Sequence, residues 1–112
     1  MMETTEKKQI AYIAGQITND PDYKEKFDYA ERELKEHGFV VLNPTILPLG
    51  MEYEQYMDIT HEMLKCADTL FLLTGWDHSP GAKRELCTAL ARDLTIHDYH
   101  YWCLCNHSEA QQ

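Results

Sequence analysis

The chain is short of several features that would narrow its function quickly. None of its apolar runs approaches the roughly 20 residues needed to cross a bilayer. The opening stretch MMETTEKKQ has no apolar centre of the kind a secretory leader carries, so a soluble, cytoplasmic setting is expected. Positive charge is scarce: 10 Lys and Arg stand against 19 Asp and Glu, a formal net charge of −9. A surface that acidic repels a phosphate backbone, which argues against nucleic-acid polymers as partners. A small anion held by local backbone N–H groups at a helix N-terminus stays open. The 4 cysteines lack the paired C-x₂-C spacing of a structural zinc site. Cys66 and Cys87 fall in expected helices and read as small buried thiols. Cys103, Cys105 and His107 form C-x-C-x-H, but alternation in HYWCLC would place 103 and 105 on one face of a strand without any metal. No metal site and no cofactor is expected.

What is present is a regular alternation. With 112 residues, 44% of them hydrophobic, the chain suffices for one domain with one core. KQIAYIAG (Lys8 to Gly15) reads as a buried strand ending in glycine. Asp20 and Pro21 read as N-cap and first residue of a helix whose inward positions are Tyr23, Phe27, Ala30 and Leu34, with Gly38 just past its end. FVVLNP is a second strand. A helix over Glu52 to Cys66 would turn Tyr56, Ile59, Met63 and Cys66 inward. DTLFLLTGW is a third strand, and PGAKRELCTALARDL a third helix burying Ala82, Leu86, Ala89 and Leu90. HDYHYWCLC reads as a fourth strand and NHSEAQQ as a loose tail. The expected fold is an α/β, open parallel sheet of four to five strands with three flanking helices, Rossmann-like or flavodoxin-like in three layers.

Ligands of such sheets lie beyond the carboxyl ends of the strands. That edge collects Gly15 to Thr18, Asn43-Pro44 and the Trp76 to Gly81 loop. Gly75, Pro80 and Gly81 make a tight path from strand to helix. Ser79 could be an ordinary N-cap, or its hydroxyl and the N–H groups of Gly81, Ala82 and Lys83 could together hold a phosphate. Glu85, one turn into the helix, is favoured there by the helix dipole whether or not it does chemistry. It adjoins the packed face, so its carboxylate can look along the sheet edge toward Gly15. Tyr12, on the strand face opposite Ile13, is ordinary core unless its hydroxyl finds a partner such as a carboxylate. Trp76 is either packing or a wall on which a base stacks.

Three stretches, AYIAGQIT, VVLNP and YMDITHEMLKCADTLFLLTGWDHSPGAKREL, together resemble the nucleoside 2-deoxyribosyltransferase-like superfamily, in particular its small, often phage-encoded members. The resemblance spans residues 8 to 104 and is most specific in the Trp-x-x-Ser-x-Gly-Ala-x-x-Glu run. It implies that Glu85 is the nucleophile attacking the anomeric carbon of a 2′-deoxyribosyl group and that Tyr12 orients it. It implies that Ser79, six residues earlier, binds a 5′-phosphate, as in the 5′-monophosphate N-hydrolases of the superfamily. Gly15, Ile17, Asn43, Trp76 and Gly81 would line the substrate. One position departs: Thr60 stands where the resemblance places an aspartate, and Asp58 and Glu62 point about 200° away from it. Asp77 or His78 would then protonate the leaving base.

The expected activity is cleavage or transfer of the N-glycosidic bond of a 2′-deoxyribonucleotide through a covalent Glu85–deoxyribosyl intermediate. The alternatives are a non-catalytic nucleotide-binding module of the same fold and a purely structural protein with Glu85 on its surface. The expected partners are a small nucleotide or nucleoside and further copies of the chain, with edge strands and the aromatic DYHYW segment as the contact; no membrane partner is expected.

Overall fold

The computed structural model describes residues 7–110, with side chains described for residues 7–106. Residues 1–6 of the N-terminal stretch and the last two residues of the expected tail lie outside the described residues. Four parallel strands alternate with helices: β1 (Ile10–Ala14), α1 (Tyr23–Glu36), β2 (Val40–Leu42), α2 (Tyr53–Lys65), β3 (Thr69–Leu72), α3 (Pro80–Ala91), β4 (Thr95–Asp98) and α4 (Tyr99–Ala110). Short 3₁₀ turns at Pro44–Ile46 and Trp76–His78 sit in the loops after β2 and β3. The sheet runs in the order β2-β1-β3-β4. This is a flavodoxin-type order, in which the chain reverses direction between β1 and β3. No helix among the described residues is long and apolar enough to cross a membrane.

The two central strands are buried on both faces, as parallel strands with helices above and below must be. Alternation along β1 divides its side chains. Ala11 and Ile13 join Phe71 and Leu73 under Phe27, Ala30 and Leu34 of α1. Tyr12 and Ala14 join Leu70 and Leu72 under Leu64 of α2 and Ala82 and Ala89 of α3. Asp68 fastens the base of the sheet, its carboxylate accepting the Ile10 N–H at 2.9 Å.

Several sequence expectations need correction. The segment read as a long fourth strand is strand only over Thr95–Asp98, and helical from Tyr99. The Asp98 side chain accepts the Tyr101 N–H at 2.9 Å, a cap that starts α4. Tyr99 and Trp102 then pack against the α1 side of the sheet. Among the described residues there are thus four helices rather than three, and the tail is helical to Ala110. Cys103 and Cys105, two residues apart in a helix, diverge by about 200° rather than sharing a face. Cys66 and Cys87 are exposed, not buried. On α2 the inward residues are Met57, Thr60 and Leu64, one position along from the expected stripe, and Ile59 is exposed. Leu90 of α3 is exposed as well, whereas Glu85 is buried. Helix α1 begins at Tyr23; Asp20 caps the preceding turn, accepting the Asp22 N–H at 2.9 Å and bridging Lys26.

Candidate functional site

The site grows from the reversal point of the sheet. Beyond Ala14, β1 runs into Gly15, where a side-chain carbon would stand 3.1 Å from Leu73 Cβ and 3.2 Å from Phe27 Cζ, so any larger residue would push these neighbours by a few tenths of an ångström. Beyond Leu72, the chain turns through Gly75 in the left-handed region (φ 94°), makes the 3₁₀ turn Trp76–His78, and enters α3 at Pro80. The two loops leave in opposite directions, and α2 closes the third side. Between them lies a cavity of about 260 Å³.

At its floor are three buried polar side chains from three elements. The Tyr12 hydroxyl of β1 donates to Glu85 Oε2 of α3 at 2.6 Å. Thr60 of α2 lines the same space, 6% exposed, beside a Glu85 that is 8% exposed. Burial raises the Glu85 carboxyl from its usual 4.5 to about 7, against the opposing pull of the Tyr12 and Thr60 hydroxyls and the Arg84 charge. The dipole of α3 was expected to keep Glu85 ionised; desolvation outweighs it, and the group is half protonated near neutral pH. Burial first, then the Glu85 charge, raises the Tyr12 hydroxyl well above its ordinary range, so it remains a donor.

The wall above the floor is mostly apolar. Ile17, Leu47, Leu49, Tyr53, Tyr56 and Met57 contribute to it. Tyr56 pins the β2–α2 loop by accepting the Met51 N–H and donating to the Pro48 carbonyl. Among the described residues no lysine or arginine lines the cavity.

Of the residues named from sequence, Tyr12, Gly15, Ile17, Ser79, Gly81 and Glu85 all line this cavity. Asn43, Trp76 and Asp77 do not. Asn43 is a brace: it accepts the Thr45 N–H at 2.9 Å and donates to Glu31 of α1 at 2.9 Å. Trp76 packs on the α2/α3 side of the core. Asp77 is exposed in its 3₁₀ turn, and His78 takes the place at the cavity that either was expected to fill. Ser79 is an N-cap, its Oγ accepting the Ala82 N–H at 3.1 Å, and Lys83 N–H is bonded to the Ser79 carbonyl. Two of the three amides expected to hold an anion are therefore spent, leaving the Gly81 N–H and the Ser79 hydroxyl proton. Thr60, Tyr53 and Tyr56 were not among the named site residues. The departure at Thr60 was the one signal that could have marked it.

A family model described as a domain of unknown function, DUF4406, matches residues 9–98. The chain belongs to the DUF4406 family. No curated protein matches it with significant similarity. The matched span runs from the foot of β1 to the end of β4. It includes Tyr12, Thr60, Ser79 and Glu85, and excludes α4, so the DUF4406 unit comprises the sheet, three helices and the whole cavity.

Proposed function

We propose that this DUF4406 domain cleaves or transfers the N-glycosidic bond of a 2′-deoxyribosyl nucleotide or nucleoside, with Glu85 as nucleophile. The observation that carries the reading is the 2.6 Å bond between Tyr12 and Glu85 at the floor of a cavity at the sheet's reversal point. Supporting it, Ser79 and Gly81 lie on the wall at the start of the same helix, and the sequence resembles the nucleoside 2-deoxyribosyltransferase-like superfamily at these residues.

In this reading Tyr12 holds Oε2, leaving Oε1 to attack C1′. The C1′–N bond breaks with its electron pair going to the base, through a transition state with oxocarbenium character. His78, at the cavity wall, supplies the proton that the departing base takes up. Water, or the nitrogen of a second base, then attacks C1′ and gives up a proton, and the Glu85 carboxylate is released. A 2′-deoxy sugar suits this route, because no electron-withdrawing 2′-hydroxyl opposes the developing cation. A 5′-phosphate would meet the Ser79 hydroxyl and the Gly81 N–H but no lysine or arginine among the described residues, so sugar and base supply most of the binding.

The test is incubation with each deoxynucleoside and its 5′-monophosphate, with chromatographic detection of free base. Free base is expected, and Glu85→Ala should reduce its release at least about a thousandfold. Because only the ionised carboxylate attacks, the rate should climb with pH through the Glu85 midpoint of about 7. A second reading, a nucleotide-binding module without chemistry, is favoured by Thr60 in place of an acid. Ligand-induced thermal stabilisation without base release would select it.

A further inference from the structure

Thr60 is the least explained member of the buried trio. Valine has the same shape and would fill the position without burying a hydroxyl, which is costly unless the hydroxyl is bonded. The bond it makes is a poor one: Oγ1 donates back to the Met57 carbonyl of its own helix at 3.4 Å, at the long end of the range for such bonds. Across the cavity floor it has a better acceptor, since a carboxylate accepts more strongly than a carbonyl that already serves a helix. The Thr60 hydroxyl stands beside both the Glu85 carboxylate and the Tyr12 hydroxyl.

We propose that Thr60 is a positioning residue for Glu85: its hydroxyl turns from the Met57 carbonyl to the Glu85 carboxylate when that carboxylate is charged. Tyr12 and Thr60 then form a two-donor cradle built from β1 and α2 around a group carried by α3. One donor is too few to keep a carboxylate this buried in its charged form at neutral pH; two make that form accessible. The charged groups and histidines near Glu85 come from α2, α3 and the β3–α3 loop. Arg84 of α3 and Asp58 and His61 of α2 line an adjoining space of about 330 Å³ that Glu85 also borders, and His78 lines the main cavity from the β3–α3 loop. Arg84 is largely engaged elsewhere, bonded to Glu54 at 3.2 Å. Thr60 is thus a second neutral donor, beside Tyr12, that favours the charged form of Glu85 without adding charge of its own.

The catalytic weight of this assignment rests on the glycosidic reading above; the charge assignment does not. The test follows the Glu85 carboxyl by carbon-13 NMR in protein labelled at glutamate, with Glu85→Gln identifying the resonance, across a pH titration. Thr60→Val should move the titration midpoint upward by about one pH unit, the scale of a lost hydrogen bond to a charged group. Thr60→Ser, which restores the hydroxyl, should return it to the wild-type position. If Val does not fold at this site, Thr60→Ala is read the same way. A midpoint unchanged on loss of the hydroxyl, or one that Ser fails to restore, overturns the proposal. Where base is released, the rising limb of the rate–pH profile should follow the same order. A midpoint that moves as expected in a protein that releases no base upholds the Thr60 assignment and sinks the glycosidic reading alone.

Discussion

Two tyrosines on opposite faces of one sheet are buried in different ways. Tyr12 lies under α2 and α3, fully buried, with its hydroxyl on a carboxylate at 2.6 Å. Tyr99 lies on the α1 side, stacked on Trp102 and edge-on to Phe71, and its buried hydroxyl makes no well-formed hydrogen bond among the described residues. Burial drives both hydroxyls upward in pKa, and the Cys103 thiol beside Tyr99 is pushed up too. The Tyr99 face is an aromatic seal. His37, Phe39, Phe71 and Trp102 meet there at angles and separations that favour packing, and the polar tip of Tyr99 is tolerated rather than used. The Tyr12 face keeps a cavity open and places an acid at its floor. One face holds the fold together, and the other gives up some of that stability to a site.

The largest expected effect tests the sealing face. Phe71 is fully buried and touches Phe39, His97, Tyr99 and Trp102. Phe71→Ala should cost about 3 to 5 kcal/mol in urea unfolding. A loss under about 1 kcal/mol would mean that α4 and its aromatics do not seat on the sheet as described.

The next effect tests the site face. The folded chain holds the Glu85 proton to about 7, while the unfolded chain releases it near 4.5. Between these values the unfolded state binds fewer protons, so stability falls as pH rises and the loss is complete above the upper one. At about 1.4 kcal/mol per pKa unit, Glu85→Gln should gain up to about 3 kcal/mol on the wild type between pH 4 and pH 8. Urea unfolding at both pH values measures it. A difference that does not change with pH would show that the acid is not buried in its charged form.

The two faces also differ in how plainly the sequence announces them. The strand–helix alternation follows from apolar spacing, whereas the meeting of Tyr12 with Glu85 is implied by the superfamily resemblance and is only one of the readings the residues themselves allow. α4 follows from neither, because DYHYWCLC alternates like a strand and is rich in β-favouring aromatics. What decides it is a local cap, Asp98 three residues before Tyr101, together with a tertiary feature, the burial of 99, 102, 103 and 106 at the period of a helix. On α2, two stripes share the same spacing one position apart. Apolar content favours Tyr56, Ile59 and Met63, yet the fold buries Met57, Thr60 and Leu64. A polar residue belongs inside there only because a carboxylate waits across the cavity, and local sequence carries no trace of that. Asn43 shows the reverse: a polar residue at the functional edge serves to brace the loop.

The smallest effect separates the two tyrosines directly, since removing one oxygen atom from each should give opposite results. Tyr12→Phe deletes a donor to a buried carboxylate. At pH 8, where Glu85 is ionised, the lost bond should cost about 2 kcal/mol, the scale of a hydrogen bond to a charged group. At pH 5 the carboxyl is neutral, and the cost should shrink toward that of an ordinary neutral bond, about 1 kcal/mol. Tyr99→Phe deletes a hydroxyl whose burial is not repaid by a bond. It should leave stability unchanged or raise it by up to about 1 kcal/mol, with no dependence on pH in that range, because Tyr99 stays protonated throughout. Thermal unfolding of the two variants at both pH values decides the matter. If Tyr99→Phe costs as much as Tyr12→Phe, the aromatic face carries a polar interaction of its own, and the division between a sealing face and a working face fails. If only Tyr12→Phe is costly, and more so in alkali, the charged acid beneath the cavity is what that tyrosine serves.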